Sequence, residues 1–181
     1  MMMKSGRAEA GEYAAYAQAD IDLVEGDDIL VTLAAQIEQT LALFEDVDDT
    51  LAGTVSYEPG KWTLKQIVHH LSDDERIFAY RCLCLARNDL RPLEGFDEKQ
   101  YEQHAGSNEL PLSELVEELG TVREGTLALL RSLHDEAWMR RGTVNGYSAT
   151  VRGLAFHIAG HELHHARMIR EKYLPLVRSG G

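Results

Sequence analysis

One stretch limits the fold more than any other. Val151 to Tyr173 reads as one long helix whose inner face mixes aliphatic side chains with histidines. At about 100° per residue, Val151, Leu154, Ala155, Ile158 and Ile169 form an apolar stripe. His165 falls within that stripe and His161 to one side of it, with His157 and His164 on the flank. Residues four apart stand one above the other on a helix, so His161 and His165 are spaced to grip one ion. Glu162 also lies in the stripe. A buried carboxylate needs a partner, and a cation or a metal-linked group is the natural one.

The rest of the chain supplies helices for this one to lie against. Asp28 offers cap chemistry, and Ile29, Leu30, Leu33, Ile37, Leu41 and Phe44 follow at helical spacing, predicting a first helix from Asp28 to about Glu45. Asp46 to Gly60 reads as an acidic loop. Thr63-Leu64-Lys65-Gln66 fits a capping box for a second helix from Leu64 to about Arg87. Its stripe is Leu64, Ile67, Leu71, Phe78, Cys82 and Leu85, with Glu75 inside it, His70 on its flank and His69 well away. A connection from Asn88 to Leu112 follows, about 25 residues where compact bundles use ~2–8. Phe96 and Tyr101 are expected to pin it down. A link this long can carry the chain back along the bundle. The third helix is expected from Ser113 to about Leu133. A second connection, Asp135 to Tyr147, leads to Ser148 as the expected cap of the last helix. The expectation is an all-α four-helix bundle over residues 27–175, with a lead-in at 1–26, packed on the body or frayed from it, and a tail at 176–181.

His161-Glu162-Leu163-His164-His165 spells H-E-x-x-H, the helical zinc signature of many peptidases. Such enzymes take a further ligand, often downstream. After His165 the chain offers one carboxylate, Glu171, and no histidine. A di-iron site needs two Glu-x-x-His pairs, and Glu162-x-x-His165 has no second. A single metal with a third ligand from another helix remains, and His70 is available for it. His104 and His134 read as solvent-exposed, and Cys82 and Cys84 as packed or surface thiols. The Trp62 ring reads as a staple at the start of the second helix rather than a pocket wall.

With 30 acidic and 18 basic residues, net charge −12, the chain lacks the basic face of a phosphate-backbone binder and has no reason to adhere to anionic membranes. No apolar run reaches membrane-spanning length, and the start of the chain lacks the apolar core of a signal peptide. A cytoplasmic protein without nucleic-acid or membrane partners is expected.

Three segments carry a family likeness: Pro59-Gly60-Lys61-Trp62-Thr63-Leu64-Lys65, His70-Leu71-Ser72-Asp73-Asp74-Glu75-Arg76 and Gly160-His161-Glu162-Leu163-His164-His165. Their order and spacing resemble the DinB/YfiT-like superfamily of metal-binding four-helix bundles, from about Tyr13 to Tyr173. The resemblance implies an up-down-down-up bundle, a homodimer, and one divalent ion, zinc or nickel, on His70, His161 and His165. It implies a small-molecule substrate and, from relatives that use bacillithiol, mycothiol or glutathione, a metal-dependent thiol S-transferase activating a low-molecular-weight thiol. The alternatives are a hydrolase using metal-activated water and a non-catalytic stress or metal-binding bundle. Glu162 and Glu75 are candidates to orient a ligand histidine, Glu162 also to act as a base, and Arg81 to bind a carboxylate of a thiol cofactor.

Overall fold

The computed structural model describes residues 6–178. The expected lead-in and tail also take in residues 1–5 and 179–181, which lie outside that range. In chain order the helices are α1 (Gln18–Ile21), α2 (Ile29–Leu41), α3 (Asp49–Thr54), α4 (Leu64–Ala86), α5 (Glu98–Ala105) and α6 (Leu112–Arg131). A hairpin of β1 (Arg141–Val144) and β2 (Tyr147–Thr150) follows, then α7 (Val151–Met168) and α8 (Leu174–Val177). The long helices α2, α4, α6 and α7 form an up-down-down-up bundle in which α2 and α4 each pack against both α6 and α7. No helix among the described residues is long and apolar enough to cross a membrane.

Local chemistry explains where the helices begin. Asp28 accepts from the amides of Leu30 and Val31 at the head of α2. Thr63 and Gln66 form the full reciprocal capping box at the head of α4. Elsewhere the structure corrects the expected boundaries. The acidic loop contains α3, capped by Asp48. The long connection contains α5, whose cap Asp97 accepts from the amides of Lys99 and Gln100. Phe96 in that connection is half-buried and meets Tyr101 edge-on, but Tyr101 is exposed. Ser148 is not a cap: it lies in β2, and Thr150 caps α7 by accepting from the amide of Gly153. The reason is Asn145-Gly146, both with positive φ (49° and 79°), which closes a two-residue hairpin turn. Past Met168 the last helix widens into a π-turn over Ile169–Tyr173, because the Pro175 ring cannot fit against a regular turn.

The described part of the lead-in packs against α7, burying Ala8, Tyr13, Ala17, Ile21 and Val24, while Tyr16 stays exposed. Two glycines of α7 permit this. A Cβ on Gly153 would lie 1.9 Å from the Glu12 carbonyl oxygen, and one on Gly160 2.5 Å from that of Asp20. Glu12 is held there by Thr150 Oγ1 at 2.8 Å and by the Arg152 guanidinium.

The apolar interior falls into two clusters, one around Phe156, Trp138 and Leu130, the other around Leu64, Leu115 and Tyr173. A polar layer divides them. Arg123 of α6, 1% exposed, donates to both carboxylate oxygens of Glu75 on α4 at 2.8 Å. It also donates to Glu162 Oε2 on α7 at 2.6 Å and to the Leu33 carbonyl on α2 at 2.9 Å. Gln36 of α2 adds a bond to Glu162 Oε2 at 2.5 Å. One side chain therefore ties all four long helices together.

Arg123→Met should lower the unfolding free energy by about 3–5 kcal/mol, because it strands two buried carboxylates. Replacing Arg123, Glu75 and Glu162 together with apolar residues should recover most of that loss; urea titration of the variants reads both. Gly160→Ala should destabilise by about 1–3 kcal/mol and expose the lead-in to limited proteolysis.

Candidate metal centre

Beside the polar layer, α4 and α7 bring His70, His161 and His165 together. His161 Nε2 is 3.2 Å from His70 Nε2 and 3.1 Å from His165 Nε2. Metal–imidazole bonds of ~2.0–2.1 Å would set neighbouring donors about 2.9 Å apart at a right angle and about 3.3 Å at the tetrahedral angle. Both measured separations fall in that interval.

The protonation states suit ligation. Burial holds His70 at about 4 and His165 at about 3. Burial, reinforced by His165 and His70, holds His161 well below its usual value. All three rings are therefore neutral at ordinary pH, the form a metal requires. Hydrogen bonds alone satisfy the trio poorly, and His165 Nδ1 is buried without a partner. Three converging donors with no positive charge among them make a cation site. Among the described residues no cysteine joins the cluster, and burial pushes the Cys82 thiol up to about 12.

Asp74 stands beside one of these ligands. Its Oδ2 lies 3.3 Å from His161 Nδ1. A ring proton on Nδ1, on the side of that carboxylate, leaves the Nε2 lone pair for the centre. Burial pushes the Asp74 carboxyl up to about 7, with Arg81 opposing. Asp74 was not assigned a role from sequence, although it stands one turn after His70 on the same helix face.

Glu75 and Glu162, expected to orient a ligand histidine, do not. Their carboxylates are bound by Arg123 and face the polar layer. Arg123 was the missing partner, and its signal was its place in the α6 stripe, four residues from both Leu119 and Leu127. Of the other histidines, His157 is buried and stacks on Phe78 with ring centres 4.2 Å apart, and His164 pairs with Asp20. His104 and His134 are exposed. Trp62 does wall the centre, its ring 5.0 Å from that of His70.

Glu98 opens α5 and hangs beside the cluster, its Oε2 3.8 Å from His70 Nε2. It was missed because α5 was missed. The signal was Asp97-Glu98-Lys99-Gln100, a cap residue with Gln three positions on. Next to the cluster lies a cavity of about 580 Å³, lined by Tyr16, Asp74, Phe78, Arg81, Glu98 and His161 among others. Arg81 sits in its wall and donates to the Glu94 carbonyl at 2.9 Å.

Fold and site together define a class, a four-helix bundle with three neutral imidazoles gathered at one point between two of its helices. The chain belongs to the DinB superfamily, whose sequence profile matches residues 25–169. It is 29% identical, over 68% of its own length and 70% of the relative's, to a protein of Oceanobacillus iheyensis named as a candidate metal-dependent hydrolase. The fold is similar to that of YfiT from Bacillus subtilis, described as a candidate metal-dependent hydrolase with an unusual four-helix bundle topology (TM-score 0.73, 21% identity, 93% of this chain and 94% of that one). It is also similar to a mycothiol-dependent maleylpyruvate isomerase (TM-score 0.65, 16% identity, 77% of this chain and 58% of that one).

His70→Ala, His161→Ala and His165→Ala should each abolish stoichiometric binding of zinc or nickel, read by elemental analysis of untagged protein. Asp74→Asn should keep the site but weaken metal affinity by about 10–100-fold in a chelator competition.

Proposed function

We propose that this protein is a metal-dependent hydrolase of small molecules, with the ion held by His70, His161 and His165. The observation that carries the reading is a carboxylate, Glu98, beside three converging neutral imidazoles at the mouth of a cavity. A divalent ion on neutral ligands keeps its full charge and lowers the pKa of a protic group, water or thiol, on its open side.

The chain's own residues then divide the work. Asp74 holds the His161 ring in register. Trp62 packs against the His70 ring. Glu98 Oε2 accepts the proton of the attacking group and returns it to the leaving group. Glu162 is not that base, because it is 2% exposed and engaged by Arg123. The hydrolase names carried by the Oceanobacillus and Bacillus proteins support this reading.

Thiol transfer is the second reading, favoured by the fold shared with a mycothiol-dependent isomerase. The same centre would activate a low-molecular-weight thiol, and Glu98 would take its proton.

The test is turnover of a panel of small esters and amides by metal-loaded protein, with and without added thiol. Thiol-independent hydrolysis is expected, and Glu98→Gln should cut kcat by about 10²- to 10⁴-fold with metal content unchanged. Strict thiol dependence would move the assignment to S-transfer. No turnover with either would leave a non-catalytic metal-binding bundle.

A further inference from the structure

The cavity beside the centre has a direction. Asp74, Phe78 and Arg81 follow one face of α4, at intervals of one helical turn. At 1.5 Å per residue, the backbone of Arg81 stands about 10 Å along the helix from that of Asp74. Asp74 is the end that touches the ligand His161. Phe78 stacked on His157 lies between. The cavity therefore runs from the metal-facing imidazole to a guanidinium.

That guanidinium is only partly used by the protein. Arg81 is 4% exposed and makes one hydrogen bond, to the Glu94 carbonyl. Among the described residues no carboxylate comes within 4.0 Å of it. Its central carbon lies over the Phe78 ring at 4.7 Å and the Phe96 ring at 5.9 Å from the ring centres. Lodged between two aromatic rings, it keeps its remaining N–H groups free of protein acceptors among the described residues. A buried arginine with spare donors is suited to take a planar anion in a two-pronged bond.

The surrounding charge narrows the class. Asp20, Asp97 and Glu98 line the same cavity and are its more exposed acids, outnumbering Lys99 beside them. They repel a polyanion and tolerate an ammonium. Arg81 offers its spare donors to a single carboxylate.

We infer that Arg81 binds the carboxylate of the substrate, which is a small linear or amphoteric carboxylic acid whose reacting group meets the His161 end of the cavity. The inference rests on the proposed metal reading for the position of the reacting group, but not for the role of Arg81. Arg81 is a specificity residue here and touches no reacting atom.

The experiment uses zinc-loaded protein and a homologous series of α,ω-dicarboxylic acid monohydroxamates. The hydroxamate end ligates the metal and the carboxylate end reaches along the cavity. Binding by calorimetry should pass through an optimum of chain length. At that length Arg81→Met should lose roughly 10- to 100-fold in affinity. The matching compounds with a terminal amide should bind wild type and variant alike. Arg81→Lys should keep part of the effect. An equal loss for carboxylate and amide would show Arg81 to be only an anchor of the Glu94 segment, and would overturn the inference. So would a series without a length optimum. If acetohydroxamate itself fails to bind, the metal reading falls, and Arg81 is judged on metal-free protein with hexanoate against hexanamide. Preference for hexanoate that Arg81→Met removes sustains its role, and equal binding ends it.

Discussion

Arg123 is the interaction on which the bundle depends. It lies between two apolar clusters and contacts a carboxylate on α4, a carboxylate on α7 and a backbone carbonyl on α2. Burial alone would lower the affinity of its guanidinium for the proton, but Glu162 and Glu75 outweigh that and raise it. The layer sets register as well as contact. Sliding α7 by one turn would replace Glu162 with Ile158 or Ala166 and leave the cation short of a partner. A uniformly aliphatic interior would not penalise that slip in the same way.

The fixed register has a consequence one residue away. His161 precedes Glu162, and His165 follows it by three. On α4, Asp74 precedes Glu75, and His70 lies five residues before it. Each carboxylate clamped by Arg123 therefore places its neighbours on the adjoining face, where the imidazoles meet at 3.1 and 3.2 Å. The polar layer and the candidate centre share two helices and so share one alignment. The remaining walls come from outside the long helices. The lead-in brings Tyr16 and Asp20, the turn of the hairpin brings Asn145, and α5 brings Glu98 and Lys99. The hairpin is stitched to the segment after α4 by bonds between Leu93 and both Thr143 and Asn145.

Much of this was legible in the sequence because helical periodicity is a local property. The stripes of α2, α4 and α7 and the capping box at Thr63 follow from neighbours within a few residues. Bringing His70 to His161 across 91 positions was a different matter: the wheel showed only that each ring lies on or beside a buried stripe. The family likeness named the trio. Features that depend on pairing over distance were harder to read. Glu75 and Glu162 visibly needed a cation, yet nothing near them in the chain points to Arg123. The hairpin was obscured because its strands are four residues long and only Asn145-Gly146 marks them. Short α3 and α5 lack the length for a periodic signal, so only their caps announced them, and Glu98 went unnoticed with α5.

At the proposed centre three neutral imidazoles hold one divalent ion between α4 and α7. X-ray absorption of zinc-loaded, untagged protein measures this directly. About three imidazole nitrogens at ~2.0–2.1 Å are expected, with the remaining ligands oxygen. His70→Ala should reduce the imidazole scattering by one ring. A sulfur shell at ~2.3 Å, or a first shell without imidazole scattering, would contradict it.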